Sequence, residues 1–162
     1  GLGFSGRVSW SHSYNQNNLF SFYSSFINVG TYTFRHENGL NNFVQRNKPL
    51  GWNEGSDGYE FKFGVKYFKS DFFIMFLEME YNKIGENNLK NSPYEKYYSY
   101  KKGHFPSGAN DISNNFNGSI HWVINSNISF ISDFKVNLME VKNSSITLGL
   151  DIYTQNIFHL DI

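Results

Sequence analysis

Tyr59-Glu60-Phe61-Lys62-Phe63-Gly64-Val65-Lys66-Tyr67 alternates without interruption. Side chains on a β-strand point to opposite faces in turn, so this segment has one oily face and one charged face. Tyr59, Phe61, Phe63, Val65 and Tyr67 share the first; Glu60, Lys62, Gly64 and Lys66 share the second. The oily face is also ordered along its length, with tyrosine at both ends and Phe and Val between. Amphipathic rings at the two ends of an apolar band suit a strand that crosses a lipid bilayer. In that arrangement Lys62 and Lys66 face the lumen of a barrel, and the chain belongs in a bacterial outer membrane.

The flanking sequence repeats the pattern. Residues 4–14 set Phe4, Val8, Trp10 and Tyr14 against Ser5, Arg7, Ser9, Ser11 and Ser13. Residues 19–34 begin with Phe20, Phe22 and Phe26, slip near Asn28 and resume with Tyr32 and Phe34, which predicts a bulged strand. Residues 73–81 place Phe73, Met75, Leu77, Met79 and Tyr81 on one face and Glu78 and Glu80 on the other. A turn centred on Ser70 sets Lys62 opposite Glu78 and diagonal to Glu80, a lumen-facing ladder of opposite charges. Three more segments alternate in the same way, around Trp122, Phe134 and Leu148.

These segments predict an all-β chain of about seven to eight strands, an antiparallel meander forming part of a transmembrane β-barrel. It is read as one domain over 1–162. The connections at 15–18, 69–71 and 125–127 are short, whereas those at 36–58 and 83–111 are long, as expected of periplasmic turns and external loops. The tail alternates Phe158, Leu160 and Ile162, either as a continuation of the last strand or as a further one. The first residues, already close to a strand, carry no export signal, which predicts a mature product or a fragment whose other strands lie elsewhere in the parent chain. The same alternation also builds soluble β-sandwiches and lipocalin-like barrels, with the aromatic face inside. The ring-aliphatic-ring order favours the membrane.

Composition agrees. Aromatic residues make up 19% of the chain and alanine occurs once, at Ala109, so strand formers outweigh helix formers. Mean hydropathy is −0.48, with no apolar run of the ~18 residues a membrane helix needs. Zero formal net charge gives no general field for nucleic acid. The chain has no cysteine, and His12, His36, His104, His121 and His159 show no metal-ligand spacing. Neither metal nor cofactor is implied, and no catalytic motif is present. Glu78 and Glu80 invite comparison with a glycosidase pair, but adjacent carboxylates facing lysines suit a salt-bridge ladder better.

Two regions are candidates for contact with a ligand. Tyr94, Lys96, Tyr97, Tyr98, Tyr100, Lys101, Lys102 and His104 crowd into the second long loop. Tyrosine faces stack on sugar C–H faces and lysines attract acidic groups, so an acidic or neutral surface polysaccharide is the expected ligand. An ordinary Tyr- and Lys-rich surface loop is the competing reading. In the first long loop, Arg35, His36, Arg46 and Lys48 suit acidic sugars, or Arg46 ties the loop down through Glu54 or Asp57.

The stretch 32–57, YTFRHENGLNNFVQRNKPLGWNEGSD, holds a Tyr-x-x-Arg-His strand end at Arg35 and His36. An Arg-x-x-Pro-Leu-Gly turn follows at Arg46, Pro49 and Gly51, and then a Gly-Ser-Asp ending at Asp57. With Gly103-His104-Phe105-Pro106-Ser107-Gly108, this resembles the capsule assembly Wzi family over most of the chain, as the last part of a longer protein. The resemblance implies an outer-membrane barrel of more strands than are present here. It also implies a lectin-like, non-enzymatic role, holding capsular polysaccharide at the cell surface. A passive outer-membrane channel and a soluble β-sandwich binding module are the alternatives.

Overall fold

The computed structural model describes residues 1–96, 103–140 and 144–152. The strands are β1 (Gly3–Asn15), β2 (Asn18–Val29), β3 (Val44–Gln45), β4 (Lys48–Pro49), β5 (Gly58–Lys69), β6 (Phe73–Ile84), β7 (Asp111–Asn125), β8 (Ile128–Asn137) and β9 (Ser145–Ile152). Seven of them form one antiparallel sheet in the order β1-β2-β5-β6-β7-β8-β9, and β3-β4 is a separate hairpin. The sheet is an open meander: β1 and β9 are its two edges. Among the described residues no helix is long and apolar enough to cross a membrane.

The register carries the sequence alternation across every pair. Phe22 faces Val65, Val65 faces Leu77, Leu77 faces Gly118 and Gly118 faces Phe134, so all seven oily faces fall on one side. That side is uncovered by any second layer of described residues: Trp10 is 58% exposed, Phe63 44%, Met79 55% and Leu148 67%. Aromatic rings form two rows on it. At the long-loop end, Phe4, Phe26, Tyr59 and Tyr81 succeed one another with ring centroids 5.6, 6.4 and 6.1 Å apart. At the short-turn end, Phe20, Tyr67 and Phe73 follow at 4.5 and 6.0 Å. Val65, Leu77 and Ile120 lie between the rows. Gly118 leaves room for the ring of Phe134, which lies over it beside Leu77.

Three expectations need correction. Residues 19–34 are not one bulged strand. β2 pairs regularly with β1 up to Val29, and the chain then turns, with Thr33 N donating to Gly30 O at 3.0 Å and Phe34 at φ 69°. The apparent slip at Asn28 marks the end of the strand. The turn after β5 is centred on Asp71, because Ser70–Phe72 forms a 3-10 segment and Lys69 pairs with Phe73. Lys62 therefore faces Glu80, and Glu78 faces Gly64. Finally, the opposite face is not uniformly polar. Near the short turns it carries an apolar row of Leu19, Phe68 and Ile74 in direct cross-strand register, continued past His121 by Ile131.

Candidate functional site

Above the sheet, residues 30–57 are tied to residues 85–96 and 103–110 in one loop body by buried polar side chains. Asp57, fully buried, accepts hydrogen bonds from Thr31 Oγ1 at 2.7 Å, from Ser107 N at 3.0 Å and from Ser107 Oγ. Gly85 donates its N–H to Asp57 O at 2.7 Å, and a Cβ on Gly85 would run into the carboxylate and into Ser107. Ser56 caps Leu89 N at 3.1 Å, and Leu89 is the one large apolar side chain fully enclosed among the described residues.

Arg35 is the other tie. Its side chain is 3% exposed. Its guanidinium donates to Ser92 O, Glu95 O, Asn87 O and Ser92 Oγ at 2.9–3.1 Å, with Glu95 Oε2 at 3.7 Å. Burial lowers its pKa, and Glu95 and Asp57 pull it back up. Asn42 reinforces the same seam, donating to Pro93 O and Glu95 O at 3.0 and 2.7 Å and accepting from His36 N at 2.6 Å.

The residues singled out in the sequence thus separate. Arg35 and Asp57 hold the loop body together. Arg46 does not bond to Glu54 or Asp57, contrary to expectation. It is exposed, and with Asn47 it forms the two-residue turn of the β3-β4 hairpin, at φ 50° and 64°. Positive φ at both positions matches the right-handed twist of a hairpin. Glu54 instead pairs with Lys90 at 2.9 Å. Pro49 sits in β4 opposite Val44, Gly51 lies against the ring of Phe34, and His36 and Lys48 are exposed. Tyr94 is exposed with its hydroxyl donating to Asn47 Oδ1 at 2.6 Å, and Lys96 and His104 are exposed. Tyr97, Tyr98, Tyr100, Lys101 and Lys102, and the tail residues Phe158, Leu160 and Ile162, lie outside the described residues.

The loop body turns over the polar face of the sheet. Trp52 donates its indole N–H to Glu60 Oε2 at 3.4 Å, and Phe34, Trp52, Ile27 and Val29 all line a cavity of about 340 Å³. Below it runs a charged ladder. Lys62 Nζ lies 3.1 Å from Glu60 and 3.1 Å from Glu80. Glu80 also accepts from Asn82 and Asn115 at 2.7 and 3.1 Å, so its ladder continues onto β7. Glu78 is not in an ion pair with Lys62; it accepts from Tyr23 Oη and, at 3.4 Å, from Asn117. Lys66 faces Phe76 across the pair and sits 6.0 Å from its ring centroid.

Tyr23 was not singled out by alternation, yet it organises this wall. It reaches across β5 above Gly64, where any Cβ would strike its ring, and Arg7 stacks 4.0 Å above that ring. The available signal was a tyrosine at a polar-face position with a glycine opposite it in register, Tyr23↔Gly64. Among the described residues no group of three or more His, Asp or Glu is placed to hold a metal ion.

Comparison with models of known families, with curated proteins and with solved structures gives no match.

Proposed function

We propose that this chain is part of a bacterial outer-membrane β-barrel that helps to hold capsular or related surface polysaccharide at the cell, without catalysing a reaction. The observation that carries the membrane half of the reading is the pair of aromatic rows bounding an uncovered apolar band. Tyr59 and Tyr67 are eight steps apart on one strand, or about 26 Å at ~3.3 Å per residue. With the ~40° tilt of barrel strands, that spans about 20 Å of hydrocarbon, close to the apolar belt of known barrels. A second sheet packed on this face would have no use for tyrosines gathered at the margins, with Phe, Val, Leu and Met between them. On this reading β1 and β9 pair with further strands of the same barrel, because unpaired edges beside an oily face aggregate in water.

The polysaccharide half rests on the Wzi-like stretch 32–57, on the Tyr- and Lys-rich segment 94–104 and on the polar, hydroxyl-rich inner wall. The loop body over that wall disfavours an open channel.

The test uses the intact parent protein in its own cells. It should fractionate with the outer membrane and migrate faster on gels before boiling than after. Joint replacement of Tyr97, Tyr98 and Lys101 by alanine should release capsule into the medium while insertion stays normal. Unchanged retention with normal insertion removes that segment from the mechanism, and a parent protein soluble without detergent removes the barrel.

A further inference from the structure

Among the described residues, the inner wall holds a cation, Arg7, that makes no ion pair. Arg7, Ser25, Lys62 and Glu80 are consecutive partners across β1, β2, β5 and β6. Adjacent strands are ~4.8 Å apart, so the backbones of Arg7 and Lys62 flank the small Ser25 at about 10 Å from each other. Lys62 is bridged by Glu60 and Glu80. Arg7 has no carboxylate within ion-pair distance among the described residues; its guanidinium carbon instead sits over the Tyr23 ring, 4.0 Å from the centroid. Tyr23 is itself fixed, by its hydroxyl on Glu78 and by the absence of a side chain at Gly64. A cation over a ring is held without using up its N–H donors. Those of Arg7, whose spacing matches the two oxygens of a carboxylate, make no hydrogen bond among the described residues.

These side chains border a basin of about 460 Å³ whose rim adds Ser5, Ser25, Glu60 and Glu78. The volume is in the range of small-ligand sites, ~300–1,000 Å³. Serine hydroxyls both donate and accept, and ionised carboxylates accept from several donors at once, which suits a polyhydroxylated ligand.

We propose that this basin binds a carboxylated sugar unit of the polysaccharide, its carboxylate on Arg7 and its hydroxyls on Ser25, Glu60 and Glu78. The proposal rests on the surface-polysaccharide reading and moves the recognition site from the external loop to the lumenal wall.

The experiment titrates the intact barrel in detergent micelles with tetragalacturonate and, separately, with neutral maltotetraose. Tetragalacturonate should bind at least tenfold more tightly, with a preference that fades as salt is raised. Arg7→Gln should abolish the preference, and Arg7→Lys, which keeps the charge but not the fork, should restore only part of it. Retained gel mobility of each variant confirms that the barrel is intact. Equal affinity for the two probes, or an undiminished preference in Arg7→Gln, overturns the site. The same result follows if strands outside this segment supply an acid that neutralises Arg7. Capsule retention in cells separates the two levels. Retention that needs the protein but not Arg7 removes only the basin, whereas retention that survives deletion of the whole protein removes the functional reading itself.

Discussion

Replacing Arg35 by methionine keeps the length and much of the volume of the side chain but deletes its donors. Asn87 O and Ser92 O would then lose the guanidinium N–H groups that bind them at 2.9 and 3.0 Å, and Ser92 Oγ would lose a third contact. Glu95 O keeps Asn42 as a donor. An acceptor orphaned in a buried site costs ~1–3 kcal/mol, and the loops lie near water, which lowers the cost by allowing partial rehydration. Two carbonyls and one hydroxyl therefore give about 3–4 kcal/mol for opening the loop body. At 1.4 kcal/mol per factor of ten, amide exchange at Leu89 and Asn91, whose N–H groups bond to Ser56 and Asn88, should accelerate about 10²–10³-fold. Amides in the β5-β6 ladder should change by less than about threefold, because that ladder contributes no contact to Arg35. Arg35→Lys should fall between, at about tenfold, since an ammonium restores some of the bonds without the fork. Hydrogen exchange read by mass spectrometry on the folded, detergent-bound protein measures all three. Unchanged protection at Leu89 and Asn91 refutes the keystone role of Arg35, and equal acceleration in β5-β6 refutes the separation of loop body from sheet.

Further outcomes follow from the same contacts. Phe63→Arg, in the middle of the oily face, should destabilise the protein by ~2–4 kcal/mol in reversible folding into liposomes, while Tyr59→Arg at the aromatic row should cost ~0–1 kcal/mol; equal costs would remove the depth gradient that a bilayer imposes. Gly64→Ala should push Tyr23 off Glu78 and lower the urea unfolding free energy by ~1–3 kcal/mol, and a neutral result would mean that the tyrosine is not wedged there. Arg46→Asn should stabilise the β3-β4 hairpin by about 0.5 kcal/mol, because asparagine tolerates φ 50° better than arginine, and should leave capsule retention unchanged; a drop in retention would return Arg46 to the binding surface.

The strands were readable from alternation because a period of two is set by the backbone, whatever the partner. That is why the oily faces at Tyr59–Tyr67 and Phe73–Tyr81 needed no revision. Register was harder. Whether Lys62 meets Glu78 or Glu80 depends on one residue in the turn, and a 3-10 segment at Ser70–Phe72 is not marked by any Asn-Gly or Gly signal. The end of β2 is hidden in the sequence for a related reason. Tyr32 and Phe34 continue the parity of a strand, but Gly30 binds back to Leu2 and the chain leaves the sheet at Val29. In the loops, composition pointed to arginine as a tie but could not choose between Arg35 and Arg46, since the choice depends on carbonyls contributed from residues 87–95, remote in sequence. The Arg7-Tyr23-Glu78 arrangement crosses β1, β2, β5 and β6, and no pattern within a single strand encodes it.

The two faces of the sheet differ in what they still need from their surroundings, and that difference favours one medium for each. On the inner face, Glu60, Glu80 and Glu78 find Lys62, Asn115, Asn82 and Tyr23 as partners, whereas Asn82 Oδ1, Asn117 Oδ1 and Ser129 Oγ are buried without one among the described residues, so this wall still calls for polar neighbours such as water. The outer face has no such demand. Its side chains from β1 to β9 need an apolar neighbour, and about half of each ring at Phe61 and Phe63 is left without one. At ~25 cal/mol per Å² of apolar surface, each exposed ring forgoes on the order of 1–2 kcal/mol in water, and the cost recurs on every strand. A second protein layer would relieve it only if its side chains interdigitated with a surface whose rings line up in rows at the margins. Acyl chains impose no such fit, and the headgroup region accepts the tyrosine hydroxyls of Tyr59, Tyr67 and Tyr81. The edges decide the rest. A lipid-facing sheet must leave no backbone group unpaired in hydrocarbon, so β1 and β9 require strands beyond them, and the seven strands here are an arc of a closed barrel on the proposed reading.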